Sequence, residues 1–189
     1  MKPTDDRARV FTAIDIPDEI KGRVYDRMED LRRVGAIRFV DTESLHITLN
    51  FFGDLNKIQL AHVIKALNNL SETRFPVSLG GFNFFGGRRP EVIFIGVMEG
   101  AENIRSIHSK LLDSLEGIVI PRGTNRFVPH LTVGRVRQYQ KNMDKILSGF
   151  AAMHSDNIGT FICDRIVLKK SEFASGKVVH VELQRRLLL

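Results

Sequence analysis

The chain has 189 residues, of which 43% are hydrophobic and 26% charged. That is enough for one well-buried domain, or one domain of two lobes, and the ordinary balance argues against an unfolded chain. The net charge of +6 favours phosphate-bearing partners without establishing nucleic acid, and a lone cysteine excludes an internal disulfide.

Arg9 to Ile16 is rich in β-branched and apolar residues and reads as a strand. Pro17-Asp18-Glu19 opens a helix, because proline suits the first turn and carboxylates suit the positive end of the dipole. Ile20, Val24, Met28 and Leu31 form its apolar stripe, and Gly35 ends it. Ile37 to Val40 is a short strand, and Leu45 to Phe52 a stronger one closed by Gly53-Asp54. A second helix carries Leu60, Ile64 and Leu67 on one face. Phe75 to Phe85 and Val92 to Val97 read as strands around the turn Gly86-Gly87-Arg88-Arg89-Pro90.

Ile104, Ile107, Leu111 and Leu115 mark a third helix. Phe127 to Val136 is a strand, and Tyr139, Met143, Ile146 and Phe150 mark a fourth helix. Phe161 to Leu168 and Val178 to Leu183 end the chain as a strand pair around Ser175-Gly176. The order is strand–helix–strand–strand–helix, then broadly the same again, with no linker between. Strands that arrive in neighbouring pairs between helices favour α+β with antiparallel sheets over a doubly wound parallel sheet. The expectation is one domain over residues 1–189, built of two pseudo-symmetric lobes.

Two H-x-T motifs carry the chemistry: His46-Ile47-Thr48-Leu49 and His130-Leu131-Thr132-Val133. In a strand, residues i and i+2 share a face. Each motif therefore presents an imidazole and a hydroxyl side by side, with Ile47 and Leu49, or Leu131 and Val133, facing the core. Cleaving a phosphodiester without metal needs a base, an acid on the opposite side of phosphorus, and donors for the non-bridging oxygens. Two histidines can serve as base and acid near neutral pH, and two threonine hydroxyls can donate to phosphate. One such motif alone reads as a half-exposed strand histidine beside a β-favouring threonine. Two copies at corresponding places in a pseudo-repeat put function on an equal footing with that bland alternative.

These residues resemble the 2H phosphoesterase superfamily and, within it, the RNA 2′,3′-cyclic phosphodiesterases, also called 2′-5′ RNA ligases. The resemblance runs from Arg9–Pro17 through Ser44–Leu49 with Phe52-Gly53, and through Arg89–Ile93, to Pro129–Val136. It implies a two-lobed α+β fold in which each lobe is an antiparallel sheet with helices on its outer face, and a cleft lies between the sheets. It implies metal-independent hydrolysis of RNA 2′,3′-cyclic phosphate ends to 2′-phosphomonoesters, with no cofactor. His46 would be the proton donor to the leaving 3′ oxygen, His130 the proton acceptor from water, and Thr48 and Thr132 the phosphate holders. The split between donor and acceptor rests on the resemblance alone. Arg135 matches an arginine that family members often carry near the phosphate, and would bind substrate by that resemblance; strict alternation from His130 would turn it away unless Gly134 permits a bulge, and a solvated edge arginine is an equal alternative. Phe39 stands where the family often has tryptophan, and packing is its expected role. RNA ends, tRNA fragments among them, are the expected partners of a cytoplasmic monomer with no membrane association.

Other residues carry less. His62, His108, His154 and His180 read as ordinary surface or core histidines, and Cys163 as a buried, inert thiol. No H-E-x-x-H or Cys/His cluster supports a metal site. Arg88 and Arg89 could touch RNA backbone, but a solvated turn is the plainer reading. No apolar run approaches the roughly 20 residues of a membrane span, and the polar segment Met1–Arg7 lacks a signal-peptide core. The competing functions are 2′-5′ ligation by the same groups, and a basic RNA-binding module without catalysis. The intact His/Thr pairs favour an enzyme.

Overall fold

The computed structural model describes residues 7–32, 37–86, 89, 91–119, 127–137, 149, 157–174 and 176–189. In chain order these form β1 (Ala8–Asp15), α1 (Asp18–Arg32), β2 (Ile37–Phe39), a single 3-10 turn (Thr42–Ser44), β3 (His46–Leu55), α2 (Lys57–Asn68), β4 (Phe75–Phe85) and β5 (Val92–Glu99). Then come α3 (Ala101–Asp113), β6 (His130–Val136), β7 (Asn157–Cys163), β8 (Arg165–Ala174) and β9 (Lys177–Leu187). The expected fourth helix, Gly35, Arg88, His154 and Ser175 lie outside the described residues.

The strand order is β7-β4-β5-β6-β3-β1-β8-β9, with β2 also paired to β6. Every pairing is antiparallel. The strands fall into two groups, β3-β1-β8-β9 and β6-β5-β4-β7, within one nine-stranded sheet; these are not the expected halves in chain order, because the C-terminal β8 and β9 return to β1 and β3, and β2 joins β6. They meet where β3 pairs with β6 at one position, Ile47 opposite Leu131. Both side chains are fully buried, so this pair is the hydrophobic pivot of a pseudo-twofold arrangement.

The core lies on one face of this strand array. Val10, Ile14, Ile47, Leu49, Leu131 and Val133 pack there with Ile20, Val24 and Met28 of α1, Val63 and Leu67 of α2, and Ile104, Ile107 and Leu111 of α3. Burying these side chains, at about 1.5–3 kcal/mol each, is what holds helices to strands. α2 begins with a capping box: Asn56 Oδ1 accepts from Gln59 N–H at 2.9 Å, and Gln59 Oε1 accepts from Asn56 N–H at 3.2 Å. Its buried stripe is Val63, Ala66 and Leu67, with the expected Leu60 and Ile64 packed at its margin. At Gly159 a Cβ would stand 2.5 Å from Ile20 Cδ1, so glycine there lets α1 approach β7.

The structure corrects two further sequence expectations. Phe161 to Leu168 is not one strand. β7 pairs with β4 in the second half, while β8 pairs with β1 and β9 in the first. Asp164 is the joint: its carboxylate accepts from Arg165 at 2.8 and 2.9 Å, and its carbonyl accepts from Leu188 N–H at 2.8 Å. A continuous apolar run hides such a crossover, because both sides of the joint are strand. The second correction is that the motif strand starts at His130, not Phe127. Pro129 has no N–H for a ladder, and Val128 turns its carbonyl to the His130 side chain instead. Cys163 is buried, and desolvation pushes its thiol up to about 12.

Candidate active site

Alternation along β3 and β6 places the motifs as their spacing requires. Ile47, Leu49, Leu131 and Val133 are buried, while His46, Thr48, His130 and Thr132 are half-buried on the opposite face. The antiparallel register at Ile47–Leu131 then crosses the motifs. His46 falls on the side of Thr132, and Thr48 on the side of His130. Four groups from two motifs more than 80 residues apart are brought together by one paired position.

Each imidazole is anchored in the same way. His46 Nδ1 lies 2.7 Å from the Ser44 carbonyl, and His130 Nδ1 lies 2.8 Å from the Val128 carbonyl. A carbonyl only accepts, so Nδ1–H is the donor in both rings. Nε2 is left as the nitrogen that exchanges protons with a ligand. The anchor two residues upstream fixes each ring's orientation as a second-layer partner should.

Aromatic rings close each site from the side. Phe11 stacks on His46 at 5.0 Å and 29°. Phe94 and Phe85 meet His130 at 5.2 and 4.9 Å, and stack on each other at 4.2 Å. This cladding strips water from the rings and disfavours their charged forms. Burial pulls His46 down to about 4, helped by nearby His180 and Lys169 and opposed by the Ser44 carbonyl and Asp15. Burial also lowers His130, helped by Arg135 and opposed by the Val128 carbonyl. Both rings are therefore neutral in the free protein at pH 7. An anion bound between them would restore a proton to one, because opposite charge favours the charged form.

Arg135 reaches the same face. Along the β5–β6 ladder Val92 pairs with Arg135, Ile93 with Gly134, and Phe94 with Thr132, skipping Val133. That bulge brings Arg135 into phase with Thr132, as the sequence allowed if Gly134 were irregular. Gly134 has a packing reason too: a Cβ there would lie 3.0 Å from Ile37 Cγ2 and 3.3 Å from Phe39 Cδ1. Phe39 pairs with Gly134 and packs on the core cluster, the packing role expected of it. Arg89 is exposed.

Several neighbours of the site have no motif to announce them. Asp15 pairs with His46 across β1–β3 and accepts from Lys169 Nζ at 2.5 Å. Beneath the site, His108 on α3 donates from Nδ1 to the Leu49 carbonyl at 2.9 Å and stacks on Phe127 at 4.0 Å. It thus ties β3 to the segment that leads into His130. Asn50 Nδ2 donates to the His108 carbonyl at 3.1 Å, and Thr12 Oγ1 bonds Asn50, so this buried polar network is satisfied. His62 is exposed. Among the described residues no group of three or more His, Cys, Asp or Glu side chains is gathered as a metal would require. A depression of about 260 Å³ lined by Asp15, Cys163, Arg165, Glu182 and Arg185, among others, contains neither motif histidine. Both imidazoles stand on the strand face opposite the buried Ile47 and Leu131.

A helix-backed antiparallel array with two crossed His/Thr pairs at its centre defines the two-histidine phosphoesterase class. The chain belongs to the 2′-5′ RNA ligase superfamily, whose sequence model matches residues 16–172. It is 33% identical over 143 residues to the RNA 2′,3′-cyclic phosphodiesterase of Aquifex aeolicus, covering 72% of this chain and 73% of that protein. It is 31% identical over 177 residues to the enzyme of the same name from Archaeoglobus fulgidus, covering 93% and 98%. The crystal structure of TT0787 from Thermus thermophilus superposes with a TM-score of 0.81 at 22% identity, over 95% of this chain and 97% of that one. That match shows the shared fold.

Proposed function

We propose that this protein hydrolyses RNA 2′,3′-cyclic phosphodiester ends to 2′-phosphomonoesters by metal-independent acid–base catalysis. The observation that carries the reading is the crossed pair of H-x-T motifs, each with its Nδ1 tied to a backbone carbonyl. Relatives 33% and 31% identical to the chain bear the name RNA 2′,3′-cyclic phosphodiesterase.

In the mechanism, the cyclic phosphate sits between the two imidazoles. Thr48 and Thr132 donate to its non-bridging oxygens, and Arg135 adds a cation from the second half. His130 Nε2 takes a proton from water as the water oxygen attacks phosphorus. The P–O3′ bond breaks, and His46 Nε2–H gives its proton to the departing 3′ oxygen. The product carries a 2′-phosphate and a free 3′-hydroxyl, and the two histidines have exchanged protonation states. His46 is neutral in the free protein, so in this scheme it is the substrate's negative charge that loads the acid. If a 5′-hydroxyl replaced water, the same groups would form a 2′-5′ bond.

The substrate class is RNA ends, tRNA fragments among them. The working unit in this proposal is a monomer, one two-lobed domain over residues 1–189, acting in the cytoplasm. No described helix is long and apolar enough to cross a membrane. The test is an oligonucleotide with a 2′,3′-cyclic end, with the product phosphate located by phosphorus NMR, in chelator. The expected product is the 2′-phosphomonoester at undiminished rate. A 3′-phosphomonoester, a chelator-sensitive rate, or binding without turnover would each sink the proposal.

A further inference from the structure

Three rings meet at the His46 end of the site. Phe11, His46 and His180 stand at centroid separations of 5.0, 5.0 and 5.2 Å, with Phe11 flat against His46 and His180 edge-on to it at 87°. His180 comes from β9. It pairs with Ser171 of β8, whose Oγ lies 3.4 Å from its Nδ1. Two rings also box His130, at nearly the same distances, but both are phenylalanines. Packing at this spacing therefore asks for a ring and not for an imidazole.

An imidazole is the costlier choice there. His180 is half-buried beside the Lys169 ammonium, and both burial and that charge disfavour its own protonation. A polar ring kept where phenylalanine packs equally well in the other half points to use rather than to filling.

We propose that His180 is a positioning residue for His46: it packs edge-on against the ring, and at most one of the two imidazoles carries a charge at a time, so that His46 charges as an anionic ligand binds. Two cationic rings about 5 Å apart repel, so protonating either disfavours protonating the other. The charged groups that act on both rings are Asp15 on β1 and Lys169 on β8. These two are bonded to each other and partly cancel. Glu182, opposite Lys169 on β9, is engaged by Arg185, and Ser171 carries no charge. His180 is thus the titratable ring that lies directly against His46. The catalytic consequence rests on the phosphodiesterase reading above; the coupling between the two rings does not.

The experiment is an NMR pH titration of the His46 ring in the full chain, run beside the pH profile of kcat/KM on a cyclic-ended oligonucleotide. In His180→Asn, which stays polar and cannot charge, His46 should titrate about one pH unit or more higher than in the native chain. The limb of the profile governed by His46 should move by the same amount. His180→Phe, which copies the box around His130, should move it the same way, and His180→Lys should move it down. A purely structural His180 would lower activity without moving either titration, and an unchanged His46 titration in His180→Asn overturns the proposal. If His180→Asn does not fold, His180→Phe is read by the same criterion. Absence of turnover in the native chain would refute the phosphodiesterase reading instead, and the ring titration would still decide the coupling.

Discussion

The two halves of the site share a backbone plan and differ in what surrounds it. In each, a strand-borne histidine donates to the carbonyl two residues upstream and lies against a phenylalanine of the adjacent strand. Around His46 the neighbours are His180, Lys169 and Asp15. Around His130 they are Phe85, Phe94 and Arg135. In the proposed mechanism the symmetric part supplies a pair of proton-transfer groups at one phosphorus. The asymmetric part gives the groups different charge environments, and acid and base roles separate only where environments differ. Variants that strike the shared plan should therefore affect both halves equally, and variants in the surroundings should tell them apart.

The largest effects belong to the shared plan. His46→Ala and His130→Ala should each lose about 10²–10⁴-fold in kcat/KM with the fold intact by circular dichroism. A variant that kept most of its rate would show that its half is not a proton-transfer half. Next comes the pivot. Leu131→Ala removes a fully buried side chain opposite Ile47 and should cost about 2–5 kcal/mol in denaturant unfolding. Activity should fall with it, because the crossed arrangement hangs on that pair; a destabilised protein with native kcat would contradict this.

The surroundings enter through pH. His46 titrates at about 4 when folded, against 6.5 for an unperturbed ring. The folded form binds its proton less well than the unfolded chain, so the ring contributes stability above pH 6.5 that is lost as pH falls toward 4. The gap corresponds to about 3 kcal/mol. His46→Gln should flatten the fall of stability across that window, as measured by urea midpoints at pH 7 and pH 4.5. Removing His130, whose burial is less severe in effect, should flatten it less. Equal flattening would erase the asymmetry between the halves. Thr48→Val and Thr132→Val should each cost about 10- to 100-fold in rate, the worth of one hydrogen bond to a charged oxygen.

Much of this was legible in the chain because its signals are local. The period-two alternation around His46 and His130 fixed which face each side chain takes, and three helical stripes fixed three helices. The bulge at Val133–Gly134 was legible only as a possibility, since glycine permits it but the register of β5 imposes it. What stayed hidden was non-local. Nothing near His180 in sequence says that β9 will fold back and lay its ring against His46, more than 130 positions away. The break at Asp164 was equally invisible, because strand propensity does not say which half a strand joins.

The smallest expected effect is also the most specific to one half. Arg135 is exposed, so water competes for its guanidinium, and the contribution to phosphate binding that the proposed mechanism asks of it is modest. Its positive charge also bears on His130 and holds that ring's proton affinity down. Arg135→Gln should therefore do two things at once. It should raise KM for a cyclic-ended oligonucleotide by about three- to tenfold, the loss of one screened charge contact. It should also move the His130 titration toward higher pH, because a repelling charge is gone, and leave His46 where it was, since Arg135 does not act on that ring. Arg135→Lys keeps the charge and should restore the titration while leaving part of the KM defect, because an ammonium lacks the planar fork that grips phosphate. A shift of both histidines together would mean that the bulge had collapsed and the pivot had moved. A shift of neither, with KM unchanged, would mean that Arg135 shares the face without serving the site.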